Sequence, residues 1–256
     1  MSNEESQRKV RAAAAFFDLD GTLIPKPSVE RRFLGAMFAA GNISLWNCAE
    51  WVLEAMRLLP QGLKRATQGN KRYVRGVAAG QSYEIEGKTE LWRLPRFFPQ
   101  GVERAAWHAR QGHAIVLVTG TLEPLAARAA AALREELKRR GCKVAVHVCA
   151  TRLEENGGRW TGRIRGEAIF GEAKARAVRM MAGSFGLDLA KCSAYGDSEQ
   201  DRWLLKSVGK AFVVNASPGL RRVARTHGWP VLEWAGEDRV RGNGVEAIRL
   251  CDGDAA

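Results

Sequence analysis

Short apolar runs alternate with longer amphipathic ones along most of the chain. "AAAAFFDLD" near the N-terminus, "GHAIVLVTGT" (112–121), "KVAVHVCAT" (143–151), "CSAYGDS" (192–198) and "KAFVVNAS" (210–217) each read as a strand, and "PVLEW" (230–234) as a sixth. Their cores are almost continuously apolar, the pattern of strands covered on both faces. Between them, helical periodicity runs over Leu122–Arg140, Glu172–Phe185, Glu199–Ser207 and Pro218–His227. Strands alternating with helices of this length predict βα units: an α/β fold with a Rossmann-like three-layer α/β/α core and a mostly parallel sheet.

Two stretches depart from this rhythm. From about Ser28 to Phe98 no strand pattern occurs, and "SVERRFLGAMFAAG", "SLWNCAEWVLEAMRLLP" and "SYEIEGKTELWRL" read as helices. Pro25 and Pro27 precede the stretch and Pro95 and Pro99 close it, so residues 28–98 are expected to be a helical domain inserted into a core formed by 1–27 and 99–256. "RLEENGGRWTGRIRG" (152–166) carries turn residues between short β-prone runs and predicts a hairpin, with Trp160 as a packing residue. The polar tail after Glu237 is expected to fray.

Composition narrows the class. The 256 residues are 46% hydrophobic and 27% charged, a globular balance. No apolar run approaches the roughly 18 residues of a membrane helix. The apolar part of "MSNEESQRKVRAAAAFF" ends at Asp18, too short for a signal core, and reads as a tail entering a strand. The five cysteines, with no CxxC pair, read as free thiols of a reducing, cytoplasmic compartment. The net charge of +12 favours anionic partners without choosing among phosphorylated metabolites, lipid head groups and nucleic acid.

In open parallel sheets ligands bind beyond the carboxyl ends of the strands. Those ends carry Asp18 and Asp20, then Thr119, Gly120 and Thr121, then Gly196, Asp197 and Ser198 with Asp201 a turn later, then Asn215. Lys174 in "FGEAKA" falls near the same edge. Crowded carboxylates persist when a cation neutralises them, and an oxygen-only set without nearby His or Cys suits Mg²⁺. A lysine and a threonine hydroxyl beside them suit a phosphoryl group. The set reads as a phosphoryl-transfer site. His108, His113, His147 and His227 are scattered and read as structural or surface residues.

"DLDGT" (18–22), the hydroxyl residue after "IVLV", the lysine of "GEAK" and "GDSEQD" (196–201) resemble, in order, the four motifs of the haloacid dehalogenase (HAD) superfamily. The resemblance spans about residues 12–215. It implies Asp18 as a nucleophile that forms an aspartyl-phosphate, and Asp20 as the acid/base for the leaving alcohol and the incoming water. It implies Mg²⁺ held by Asp18, Asp20 through its main-chain carbonyl, and Asp197. Thr119, Gly120 and Lys174 would hold the phosphoryl oxygens, with Asp201, Ser198 and Asn215 behind them. A second aspartate two residues after the first favours phosphate-ester hydrolysis over dehalogenation.

The helical insert occupies the position of the family's C1 cap. Together with the "GxxK" and "GDSxxD" forms, it resembles subfamily IB, which contains phosphoserine phosphatase and also lipid-phosphate and histidinol-phosphate phosphatases. Gly21 stands where phosphoserine phosphatases usually have Ser, and Glu30 is the nearest counterpart of their amino-binding Glu. Glu30 and Arg31 are the candidate substrate contacts; Arg31 and Arg32 either reach the distal end of the substrate or are helix-surface charges. Trp46, Trp51 and Trp92, with Lys64, Arg65, Lys71, Arg72 and Arg75, leave two readings open. Either they form a small helical core with a solvated basic face, or they bind an amphipathic phosphate or make weak contact with an anionic membrane. The expected partner is a small phosphorylated substrate. No nucleic-acid motif occurs, and the basic residues are dispersed. The alternative is a non-catalytic phosphate-binding or regulatory protein on the same fold.

Overall fold

The computed structural model describes residues 12–79 and 94–236. Six parallel strands form one sheet in the order β3-β2-β1-β6-β7-β8. These are β1 (Ala14–Phe17), β2 (Ala114–Leu122), β3 (Val146–Thr151), β6 (Ser193–Gly196), β7 (Lys210–Val214) and β8 (Val231–Leu232). β4 (Leu153–Asn156) and β5 (Arg159–Ile164) form the antiparallel hairpin expected at 152–166.

Period-2 alternation sorts the strand side chains into two cores. Ala15, Phe17, Ile115 and Leu117 point to one face, where they meet the buried stripe Leu125, Ala129, Leu133 and Leu137 of α5 (Glu123–Arg139). Ala14, Phe16, Val116 and Val118 point to the other, against α6 (Glu172–Phe185), α7 (Arg202–Lys206) and α8 (Pro218–His227). Both faces are covered, which is why these strands read as unbroken apolar runs. β1 lies between β2 and β6, and the chain winds outward from it in both directions. That places the topological switch point at the carboxyl end of β1.

Between β1 and β2 the chain forms a helical cap. α1 (Val29–Ala39) starts at Ser28, whose hydroxyl accepts from the Arg31 N–H. α2 (Leu45–Leu58) starts at a capping box of Ser44 and Asn47, and α3 (Leu63–Gln68) follows. Val29, Phe33 and Met37 of α1 are buried and continue the core of the sheet. α2 has no buried residue, and Trp46 is 70% exposed. The expectation of a small core filled by the tryptophans therefore fails for Trp46; the helix is too peripheral to enclose it. Trp92 and the helix expected over "SYEIEGKTELWRL" lie outside the described residues, apart from Leu94, as does the tail after residue 236.

The hairpin ties the cap to the core. The Trp160 N–H donates to the Val77 carbonyl, and Gly76 and Ala79 donate to the carbonyls of Trp160 and Gly158. Trp160 is 2% exposed and packs with Tyr73, Val74 and Val77, the packing role expected of it. α4 (Pro99–Arg110) was not foreseen. Pro99 reads as a boundary, but it occupies the first turn of this helix, where its missing N–H costs nothing. Among the described residues no helix is long and apolar enough to cross a membrane. Cys48, Cys142, Cys149 and Cys192 are free thiols, as expected, and Cys251 lies outside the described residues.

Candidate active site

Strand β1 ends at Phe17, and the chain turns immediately. Its hinge is Gly21, at φ +95°, where a Cβ would lie 2.3 Å from Asp197 Oδ2. Only glycine fits this close approach and this backbone region. The Asp18 N–H donates to the Tyr195 carbonyl at 2.9 Å, so β6 fixes the first carboxylate as β1 ends.

Lys174 is the electrostatic centre. Its Nζ donates to Asp18 Oδ1 and to Asp201 Oδ1, each at 2.6 Å, and all three residues are buried. Burial works against the ammonium, but Asp18 and Asp201 outweigh it and raise its pKa. Asp201 Oδ2 accepts from the N–H groups of Asp197 and Ser198 and from the Ser198 hydroxyl. Asp201 thus connects the lysine to the loop that carries Asp197.

Asp18, Asp197 and Asp201 are all buried and offer carboxylate oxygens within 4.8 Å of one another. Burial raises the pKa of Asp18; Lys174 opposes the rise, and Asp201 and Asp197 add to it. Burial likewise pushes Asp197 up to about 6, with a further rise from Asp201 opposed by Lys26. Both shifts show carboxylates short of compensating positive charge. The hard carboxylate oxygens of Asp18 and Asp197 around a cradle floored by Gly21 fit a divalent cation of the Mg²⁺ type, while both Asp201 oxygens are already engaged.

Asp20 faces the same space but is held differently. Its Oδ1 accepts from the Val29 N–H at 2.7 Å, and its Oδ2 accepts from the Thr121 hydroxyl at 2.6 Å. Burial raises its pKa, with both hydrogen bonds pulling the other way. Because Val29 is the first residue of α1, the carboxylate is joined directly to the cap. Thr119 is buried, and its Oγ1 accepts from the Thr121 N–H. At Gly120 a Cβ would sit 2.0 Å from the Phe170 ring, so the glycine allows that ring to cross the strand end.

The structure therefore gathers Asp18, Asp20, Thr119, Gly120, Lys174, Asp197 and Ser198 around one cavity, with Asp201 buried behind them. Asn215 is placed elsewhere: its Oδ1 accepts from the Trp234 N–H at 2.8 Å, stitching β7 to the end of β8. Glu30 and Arg31 do line the cavity, but Glu30 Oε1 already accepts from Lys71 Nζ and the Tyr73 hydroxyl. Sequence reasoning missed Lys26, whose Nζ lies 2.6 Å from Asp197 Oδ2, and the pairing of Lys71 with Glu30. Lys26 offered a signal, as a cation four residues after the end of "DLDGT". The Lys71 pairing spans 41 positions and had none.

The haloacid dehalogenase-like hydrolase family matches residues 15–206. The chain belongs to this family. A probable phosphatase of Mycobacterium tuberculosis is 33% identical over 87% of this chain and 75% of its own length. A phosphoserine phosphatase of the same organism is 30% identical, over 87% and 71%. Among solved structures, a protein of unknown function from Bordetella pertussis is 26% identical with a TM-score of 0.66, over 87% of this chain and 98% of its own. A probable phosphoserine phosphatase from Vibrio cholerae, 16% identical with a TM-score of 0.57 over 91% and 65%, shares the fold. The chain is thus a HAD-type phosphatase-like hydrolase, with which a buried aspartate cluster at the switch point is consistent.

Proposed function

We propose that the chain hydrolyses a phosphate monoester through a phosphorylated Asp18, with Mg²⁺ as cofactor. The observation that carries this reading is the contrast between two aspartates two residues apart. Asp18 is gripped by an ammonium, whereas Asp20 is held only by neutral donors. Burial raises both carboxyls, but Lys174 and the Mg²⁺ that Asp18 would help to hold favour an ionised nucleophile there, whereas Asp20, with neutral donors alone, suits an acid that can hold a proton.

In the first step an Asp18 carboxylate oxygen attacks phosphorus. The bond from phosphorus to the alcohol oxygen breaks, and the proton of Asp20 goes to that oxygen. The Thr121 hydroxyl can rotate to accept when Asp20 carries this proton and donate when it does not. In the second step Asp20, now a carboxylate, takes a proton from water as the water oxygen attacks phosphorus. The bond to Asp18 breaks and restores its carboxylate. Lys174 and the Thr119 hydroxyl face the phosphoryl oxygens and balance their charge. Mg²⁺, held by Asp18, Asp197 and the main-chain carbonyl of Asp20, would supply further positive charge at those oxygens. The cap closes one side of the cavity and limits access of bulk water.

The substrate types that fit the subfamily are phosphoserine, histidinol phosphate and lipid phosphates. The similarity to a phosphoserine phosphatase supports the first of these. Phosphate release from such a panel, with Mg²⁺ and with chelator, tests the reading. Asp18→Asn should abolish release and Asp20→Asn should slow it about 10²–10⁴-fold, the usual worth of a positioned acid–base group. Release that persists in Asp18→Asn, or that ignores chelator, would overturn the proposal.

A further inference from the structure

The cavity above the aspartates has a volume of 1490 Å³, beyond the roughly 300–1,000 Å³ of ordinary small-molecule pockets. Its floor carries the phosphoryl chemistry, and polar residues of the wall include Thr67, Gln68 and the Glu30–Lys71–Tyr73 cluster. The apolar part of the wall comes from Leu34 and Phe38 of α1 and Cys48, Trp51 and Val52 of α2, with Phe170 nearer the floor beside Gly120. Leu34 and Phe38 are four apart, and Cys48 and Val52 are four apart with Trp51 between, so each helix presents one face to the space. Phe38 and Val52 are also 50% and 47% exposed, so the apolar wall continues to the outer surface of the cap.

The charges on this wall fit the same picture. Beyond Asp18, Asp20 and Asp197 the remaining carboxylate of the lining is Glu30, and Lys71 and Tyr73 occupy it from within the protein. Lys71 is 4% exposed and the Glu30 side chain 15%, so the carboxylate is engaged by protein groups where it meets the cavity. Arg31 also lines the space and is exposed, and it would repel a substrate ammonium.

Resting on the phosphatase reading above, we propose that the substrate is a phosphomonoester with a long, uncharged apolar body. A single-chain lipid phosphate has this chemistry; a small zwitterion such as phosphoserine does not. The phosphoryl group sits on the floor, and the chain runs along α1 and α2 toward the mouth.

The test is kcat/KM for ethyl, butyl, hexyl and octyl phosphate, for phosphoserine, and for p-nitrophenyl phosphate as a reference. A fully buried methylene is worth about fourfold and a half-buried one about twofold, so octyl phosphate should exceed ethyl phosphate by at least about 60-fold. Phosphoserine should fall near ethyl phosphate. Val52→Asp places a charge on the apolar wall at a half-exposed position the fold does not need, and should cut the octyl-to-ethyl ratio about tenfold. Lys71→Met leaves Glu30 with Tyr73 as its remaining partner and its charge unbalanced, and should raise phosphoserine relative to octyl phosphate. Lysophosphatidate in phosphatidylcholine vesicles separates the sources. Faster turnover from vesicles than of soluble octyl phosphate means the chain is drawn from a bilayer, and the reverse means a free monomer. Turnover of p-nitrophenyl phosphate with a flat chain-length series, or with phosphoserine the best substrate, would overturn the inference and leave the phosphatase reading intact. No turnover of any compound would instead remove the phosphatase reading.

Discussion

Asp201→Asn is the most informative single change, because the wild-type carboxylate accepts on both oxygens. Oδ1 takes Lys174 Nζ at 2.6 Å; Oδ2 takes the Asp197 and Ser198 N–H groups at 3.2 and 3.0 Å and the Ser198 hydroxyl at 2.8 Å. An amide has one acceptor oxygen, and its NH₂ must face one of these two sets of donors. Turned toward the loop, the NH₂ orphans two backbone N–H groups, at about 1–3 kcal/mol each. Turned toward Lys174, it removes one charge-assisted hydrogen bond, about 1.5–3 kcal/mol. The second orientation costs less, and the lost repulsion on Asp18 and Asp197 offsets part of it. The expected net loss is about 2 kcal/mol, or roughly 4–8 °C in Tm for a chain of this size. Urea and thermal unfolding in chelator read it without a metal contribution. A variant within about 0.5 kcal/mol of wild type, the range of surface changes, would show that Asp201 does not hold the lysine and the loop together.

Burial lowers the pKa of His108 from 6.5 to about 3, with His113 adding to the shift. The unfolded chain binds this proton below about pH 6.5 and the folded chain does not. Stability is therefore lost as pH falls from 6.5 toward 3, by about 2 kcal/mol at pH 5. Asp197, raised to about 6, works in the opposite sense, so the readout is the difference between wild type and His108→Phe, which should be constant above pH 7, where it reports the lost hydrogen bonds to Tyr195 and His113, and shift against the wild type on acidification. An unchanged difference from pH 7 to pH 5 would mean that His108 is protonated in the fold. Gly21→Ala should cost about 1–3 kcal/mol through its left-handed backbone. It should also weaken Mg²⁺ binding in calorimetry, because the new Cβ meets Asp197 Oδ2 at 2.3 Å and Lys26 Cε at 2.8 Å. Wild-type affinity in this variant would contradict the cradle described here.

What was legible in the sequence follows from how far each signal reaches along the chain. The strands were legible because both faces of Phe16, Phe17 and Ile115–Val118 are buried, leaving no polar interruption. The aspartates, Thr119 and Lys174 were legible because each sits at a strand end or helix start, and the parallel sheet brings all such ends to one edge. α4 was hidden because Pro99 signals equally a boundary and a first helical turn. For Asn215, strand-end position does not say what the side chain meets; its Oδ1 accepts from the Trp234 N–H. The Glu30–Lys71–Tyr73 cluster and the docking of the hairpin on residues 76–79 depend on tertiary contacts alone. The apolar wall of the cap was visible only as an ambiguity, since aromatic residues at helical spacing serve a core and a cavity equally well.

The central claim is that Asp18 carries the phosphoryl group. It is tested most directly by acid-quenching the enzyme during Mg²⁺-dependent turnover, reducing with borohydride, and mapping the peptides by mass spectrometry. An acyl phosphate at Asp18 is converted to homoserine, so the account expects homoserine at position 18, Asp20 unmodified, and neither change in chelator. Reduction at Asp20, or turnover with no modified aspartate at all, would contradict it.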